Sequence, residues 1–154
     1  MAPLSAGRRL ILDSGGVSAI AEGNGDARAV LDRARREGWL VVIHAPVLAE
    51  VHTGRRDHAM IDRVINAVDM LLPTTPELAR RAGELRAKSG VLDVVDSVVV
   101  AEAVAARPSL ILTSDPDDIS RLIEAAGVAD DEVILIAVQV GRGPSSSRRS
   151  SPCR

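Results

Sequence analysis

Short, uninterrupted apolar runs alternate with longer segments in which apolar residues recur every three or four positions. Leu10-Ile11-Leu12 reads as a buried strand, and the turn at Gly15-Gly16 leads into a short helix around Val17 to Glu22. Asn24-Gly25-Asp26 offers a cap for a helix over 27–37, where Ala27, Val30, Leu31 and Ala34 line one face until Gly38 stops it. Trp39 to Ile43 is the second strand. Pro46 then starts a helix with Glu50 on its first turns, and residues 57–69 form an amphipathic helix through Met60, Ile61, Val64, Ile65 and Val68. A short strand at Met70 to Leu72 precedes a helix capped by Thr75, opened by Pro76 and ended at Gly90.

The stretch from Val94 to Ala106 is apolar nearly all round, which predicts a buried helix. Leu110 to Leu112 is the next strand, residues 118–126 the last helix with Gly127 as its stop, and Val133 to Val138 the last strand. Strands that are continuously apolar and alternate with helices predict an α/β fold, its parallel sheet covered on both faces.

Placing the acids on these elements brings in the chemistry. Asp13 follows the first strand, Glu50 the second, Asp93 and Asp96 open the apolar helix, and Asp115 and Asp118 follow the strand at 110–112. In a parallel sheet, groups at the carboxyl ends of strands converge on one crevice, so acids far apart in sequence can meet there. Carboxylates gathered in this way suit a divalent cation, and a pair of such ions can activate water for phosphodiester hydrolysis. Each acid also has a plainer reading. Asp13 suits a turn before Gly15, Asp93 a first-turn acid favoured by the helix dipole, Asp118 and to a lesser degree Asp115 a helix cap, and Glu50 alone resembles a solvated helix acid. Asp96 resists this, because a charge at the start of an otherwise apolar helix is costly unless something binds it.

Composition narrows the field. An aliphatic core is required, since hydrophobic residues make up 46% of the chain and aromatic ones only 1%. The net charge of -2 hides an asymmetry. Residues 141–154 hold Arg142, Arg148, Arg149 and Arg154 with no acid; removing these four from the 19 basic residues leaves 15 against 21 acids in residues 1–140. A body this acidic does not coat nucleic acid electrostatically, which points to metal or to a local basic path. Arg8, Arg9, Arg55, Arg56, Arg86 and Lys88 are the candidates for phosphate contact, and His44, His52 and His58 are poor ligands for a hard cation. The only cysteine, Cys153, lies in the Ser/Arg tail, so a disulfide framework is excluded and a reducing cytoplasmic location is expected. No apolar run reaches the roughly 20 residues of a membrane span, so no membrane association is expected. The expected organisation is one domain over 1–140 and a disordered tail over 141–154.

The segments LILDSGGVSAIAEG, PVLAEVHTG, DVVDSVVVAEAVA and LTSDPDDI resemble, in order and spacing, the four acidic motifs of PIN-domain ribonucleases, in particular VapC-type toxins of bacterial toxin–antitoxin pairs. The resemblance covers about residues 8–138. It implies a PIN-like three-layer α/β/α fold with a central parallel sheet of four to five strands. It further implies a Mg²⁺- or Mn²⁺-dependent endoribonuclease, a homodimer, acting on RNA and restrained by a cognate antitoxin. By position, Asp13, Glu50, Asp96 and Asp115 are the implied catalytic acids and metal ligands, Asp93 and Asp118 match further acids of some members, and Thr113 matches the hydroxyl residue before the fourth acid.

Other readings divide by their needs. A phosphoacceptor receiver or a haloacid-dehalogenase-like phosphatase requires a lysine at the site, and the single lysine here, Lys88, falls in a helix. Phosphate-cradling glycine loops of the forms GxxxxGK[ST] and GxGxxG are absent. The surviving alternative is a non-catalytic binding module whose acids are structural caps.

Overall fold

The computed structural model describes residues 7–55 and 58–139. The proposed tail over 141–154, with its arginines and Cys153, and Arg56 lie outside the described residues. The elements run β1 (Arg9–Leu12), α1 (Ser14–Ala21), α2 (Gly25–Arg36), β2 (Leu40–His44), α3 (Ala45–Val51), α4 (Ala59–Ala67), β3 (Met70–Leu72), α5 (Pro76–Ser89), α6 (Val94–Ala105), β4 (Ser109–Thr113), α7 (Pro116–Ala126) and β5 (Val133–Ala137).

All five strands pair in parallel in the order β3-β2-β1-β4-β5. Register aligns Ile11 with Val42 on one side and with Ile111 on the other. Leu10, Ile11, Leu12, Val41, Val42, Ile43, Ile111 and Leu112 are fully enclosed, so the three inner strands bury both faces, as their unbroken apolar runs predict. Helices α1, α2 and α4 pack together on one face, and α5, α6 and α7 on the other. The result is a three-layer α/β/α sandwich.

Local chemistry sets the helix limits. Asn24 caps α2 by accepting from Ala27 N at 2.9 Å, and Thr75 caps α5 by accepting from Leu78 N at 3.2 Å. Gly90 and Gly127 end α5 and α7 at φ 73° and 65°, a left-handed conformation that costs a side-chain-bearing residue about 1 kcal/mol or more. Helix α6 buries Ser97 through Ala103 without a break, and each enclosed valine contributes about 1.5–2 kcal/mol. Several boundaries differ from the sequence reading, three of them near the strand ends that carry acids. Helix α1 begins at Ser14, because Asp13 caps it; β2 runs from Leu40 to His44; and α7 begins at Pro116, two residues before Asp118. Among the described residues, no helix is long and apolar enough to cross a membrane.

Candidate metal centre

The crevice is built around Asp13. It follows β1, the middle strand of the sheet, so its neighbours are the ends of both β2 and β4. Its amide donates to Leu112 O at 3.3 Å, and its Oδ1 accepts from Gly16 N at 2.6 Å. One oxygen thus caps α1 and fixes the side chain. The approach depends on two glycines, since a Cβ on Gly16 would stand 2.3 Å from Leu112 O and one on Gly15 2.8 Å from Ser114 N. The turn the sequence predicts at Gly15-Gly16 is therefore a place where α1 lies directly on the end of β4.

The other acids arrive on separate elements. Glu50 sits near the end of α3 and accepts from Ser14 Oγ. Asp93 is the N-cap of α6, accepting from Asp96 N at 2.9 Å, one position before the first turn in which the sequence reading put it; Asp96 follows in the first turn. Asp115 occupies the N-cap position of α7 without bonding through its side chain. Asp118 does not cap: it lies in the first turn of α7 and pairs with Arg121 at 3.3 Å. The buried Thr113 hydroxyl accepts from Asp115 N at 3.0 Å and donates to Asp115 O at 3.1 Å, which holds the loop after β4.

Electrostatics ties these groups together. Burial pushes Asp13 above the usual carboxylate range, and the Asp115 charge adds to the rise, against hydrogen bonds from Thr113 and the amides of Gly16 and Gly15. Glu50 is raised by partial desolvation and by the charges of Asp93 and Asp13. Asp96 is pushed up to about 7, first by burial and then by Asp93, Asp13, Glu50 and Asp118. Asp13, Glu50 and Asp96 are each raised in part by other acids of the set, with Asp13 acting on both Glu50 and Asp96. Among the described residues, no three His, Cys, Asp or Glu side chains stand close enough to hold a metal ion. The donor chemistry, carboxylate oxygens with no nitrogen or sulfur among them, fits a hard divalent cation.

Solved structures share this architecture. The VapBC2 complex of Rickettsia felis bound to a promoter DNA fragment matches with a TM-score of 0.61 at 14% identity, over 82% of this chain and 98% of the matched chain. The chain has the PIN-like fold. A toxin–antitoxin complex from Klebsiella pneumoniae matches with a TM-score of 0.61 at 17% identity, over 85% of this chain and 99% of the other. FitAcB from Neisseria gonorrhoeae matches with a TM-score of 0.57 at 17% identity, over 80% and 95%. No protein-family model and no curated protein matches the sequence. The likeness thus carries the PIN-like architecture, and the chemistry rests on the residues.

The basic candidates mostly serve the scaffold of this PIN-like chain. Arg9 pairs with Glu102, Arg8 lies 5.1 Å from the Trp39 ring centre, and Arg86 donates to Leu92 O at 2.8 Å, while Lys88 is exposed on α5. His44 ends β2 and is buried, at 1% exposure; His52 is exposed and pairs with Asp62 at 3.3 Å. Glu102 escaped the sequence reading. The signal was present, because the argument that singled out Asp96, an acid in an apolar helix, applies to Glu102 as well.

Proposed function

We propose that this chain is a metal-dependent endoribonuclease, the toxin of a type II toxin–antitoxin pair. The observation that carries this reading is the electrostatic coupling of acids from four separate segments around Asp13, at the carboxyl end of a PIN-like sheet. In this reading Asp13, Glu50, Asp96 and Asp115 hold Mg²⁺ or Mn²⁺, with Asp93 and Asp118 alongside. The bound ions supply an activated water and stabilise the oxygen that leaves when an RNA phosphodiester is cleaved. The chain's own residues prepare the site. The Gly16 amide fixes Asp13, Ser14 orients Glu50, and Thr113 fixes the loop of Asp115. Asp96 holds a proton near neutrality and gives it up when a cation takes its place.

The partners follow from surface chemistry. Between α1, α2 and α4 lies a groove of about 300 Å³ with Leu12, Ile20, Leu31 and Val64 among its apolar lining and Arg28, Arg35 and Arg63 among its charged residues. That combination suits an amphipathic segment with acidic groups, and we assign it to the antitoxin. Toxin–antitoxin complexes among the similar structures support this assignment. A homodimer and a cytoplasmic location belong to the same reading.

One observation favours the non-catalytic alternative: Asp13 and Asp93 do cap helices. Capping leaves Glu50, Asp96 and Asp115 unexplained. The test is cleavage of structured RNA by the purified protein with Mn²⁺ or Mg²⁺, lost on adding EDTA and in Asp96→Asn and Glu50→Gln. Cleavage that persists in Asp96→Asn removes the reading.

A further inference from the structure

Three elements of the crevice meet a second time on one buried carboxylate. Glu102, on α6, is 7% exposed; its Oε1 takes Arg9 Nη1 from β1, and its Oε2 lies 3.1 Å from Nε2 of His44, the residue that joins β2 to α3. Each of the three groups sits on an element that bears or leads directly to a crevice acid. Arg9 is on β1, which Asp13 follows; His44 ends β2 and leads into α3, which carries Glu50; and Glu102 follows Asp96 on α6. We propose that Glu102 is a positioning residue that sets the spacing of Asp13, Glu50 and Asp96 by locking β1, the β2–α3 junction and α6 in one register.

The proposal rests on reading the crevice as a metal site. Six residues separate Glu102 from Asp96, about 9 Å along a helix, so Glu102 acts through the helix rather than by contact. A positional anchor is needed here for a physical reason. The buried face of α6 consists of Val98, Val99, Val100, Ala101 and Ala103, small side chains that pack with similar energy after a slight slide, against a core that holds almost no aromatic residue. A carboxylate held between two fixed partners has one register. Its cost is visible, since Arg9 Nε and both ring nitrogens of His44 are buried without a hydrogen-bond partner, Nε2 meeting Glu102 as a close polar contact only, and such groups are kept more readily for specificity than for stability. Burial works to raise the Glu102 carboxyl, yet His44 and Arg9 outweigh it and hold the group below its usual range, so it stays a carboxylate.

The experiment counts bound Mn²⁺ by its electron paramagnetic resonance signal, on the full chain without RNA, after circular dichroism has confirmed folding. Glu102→Ala should weaken Mn²⁺ binding by about tenfold or more, as removal of groups that orient metal ligands does. Glu102→Gln, which keeps the shape and still accepts from Arg9, should recover most of the affinity. Wild-type affinity in a folded Glu102→Ala overturns the proposal and leaves the triad a stability device. Should that variant not fold, Arg9→Met and His44→Gln each remove one arm; both should weaken Mn²⁺ binding, and unchanged affinity in both overturns the proposal. A different pattern, in which the wild type takes up no Mn²⁺ or Asp96→Asn binds as well as the wild type, removes the metal reading itself and the proposal with it.

Discussion

Replacing Asp96 by Asn should stabilise the metal-free protein, and the size of the effect follows from its surroundings. Asp96 rises from 3.8 to about 7 on folding, chiefly through burial and then through four neighbouring acids. At about 1.4 kcal/mol per pH unit this would be about 4 kcal/mol for a fully enclosed group. Asp96 is only half-buried, and water screens part of the interaction, so about 2 kcal/mol is the fitting magnitude. The favourable placement of a charge in the first turn of α6 returns about 0.5 kcal/mol, leaving repulsion and desolvation ahead by about 1.5 kcal/mol. The sign runs in one direction. A carboxyl whose folded value is raised favours the folded state while protonated, so this contribution is intact below 3.8, is lost progressively between 3.8 and about 7, and stays lost above. Melting in EDTA at pH 8 should therefore place Asp96→Asn about 3–6 °C above the wild type, and the gap should close towards pH 4. Excess Mn²⁺ should raise the wild type and leave the variant nearly unmoved, because only a folded state that binds the ion is stabilised. A variant that melts below the wild type at pH 8 in EDTA and keeps the full Mn²⁺ response would refute the reasoning and make Asp96 a structural residue.

Mn²⁺ affinity of the wild type should fall as pH drops below about 7, because Asp96 must release its proton to bind; titrations at pH 6 and 8 giving equal affinity would contradict this. Gly16→Ala drives a methyl group into Leu112 O, 2.3 Å from its Cβ position, and should cost about 2–3 kcal/mol in urea denaturation. Thr113→Val strands the Asp115 amide and should cost about 1–2 kcal/mol while lowering RNA cleavage, and a variant with unchanged urea midpoint and activity would show that this hydroxyl holds nothing. Light scattering should report a homodimer without antitoxin; a monomer mass at every concentration counts against that partner.

Much of the fold could be read from the sequence because each of its rules acts locally. Leu10-Ile11-Leu12 and Leu110-Ile111-Leu112 have no polar alternative to a buried strand, and Thr75-Pro76 with Gly90 brackets α5 on neighbour chemistry alone. The approximate placing of the acids followed from the same runs. What sequence could not decide was how each carboxylate divides its oxygens. Asp13 combines a cap with a crevice role, which no single reading of a turn residue contains, and the cap position before α7 went to Asp115 because Pro116, rather than Asp118, starts that helix. The Arg9, His44 and Glu102 triad lay beyond reach for another reason. Glu102 carries a signal of its own as an acid in an apolar helix, but Arg9 and His44 are far from it in the chain and individually ordinary, and only the strand order brings β1, β2 and α6 around one point.

The central place of β1 has a consequence for when the crevice is complete. Asp13 is made early, but Leu112 O, Thr113 and Asp115 come from a strand about a hundred positions later, and β4 must dock beside β1 before the crevice has its fourth wall. A growing chain that has finished only β1, β2 and β3 carries Asp13 and Glu50 on an open sheet edge, without either α6 or β4. On the proposed reading, a ribosome therefore cannot release the activity in instalments: synthesis delivers an inert polypeptide through most of its length, and the nuclease comes into being in one late step of assembly.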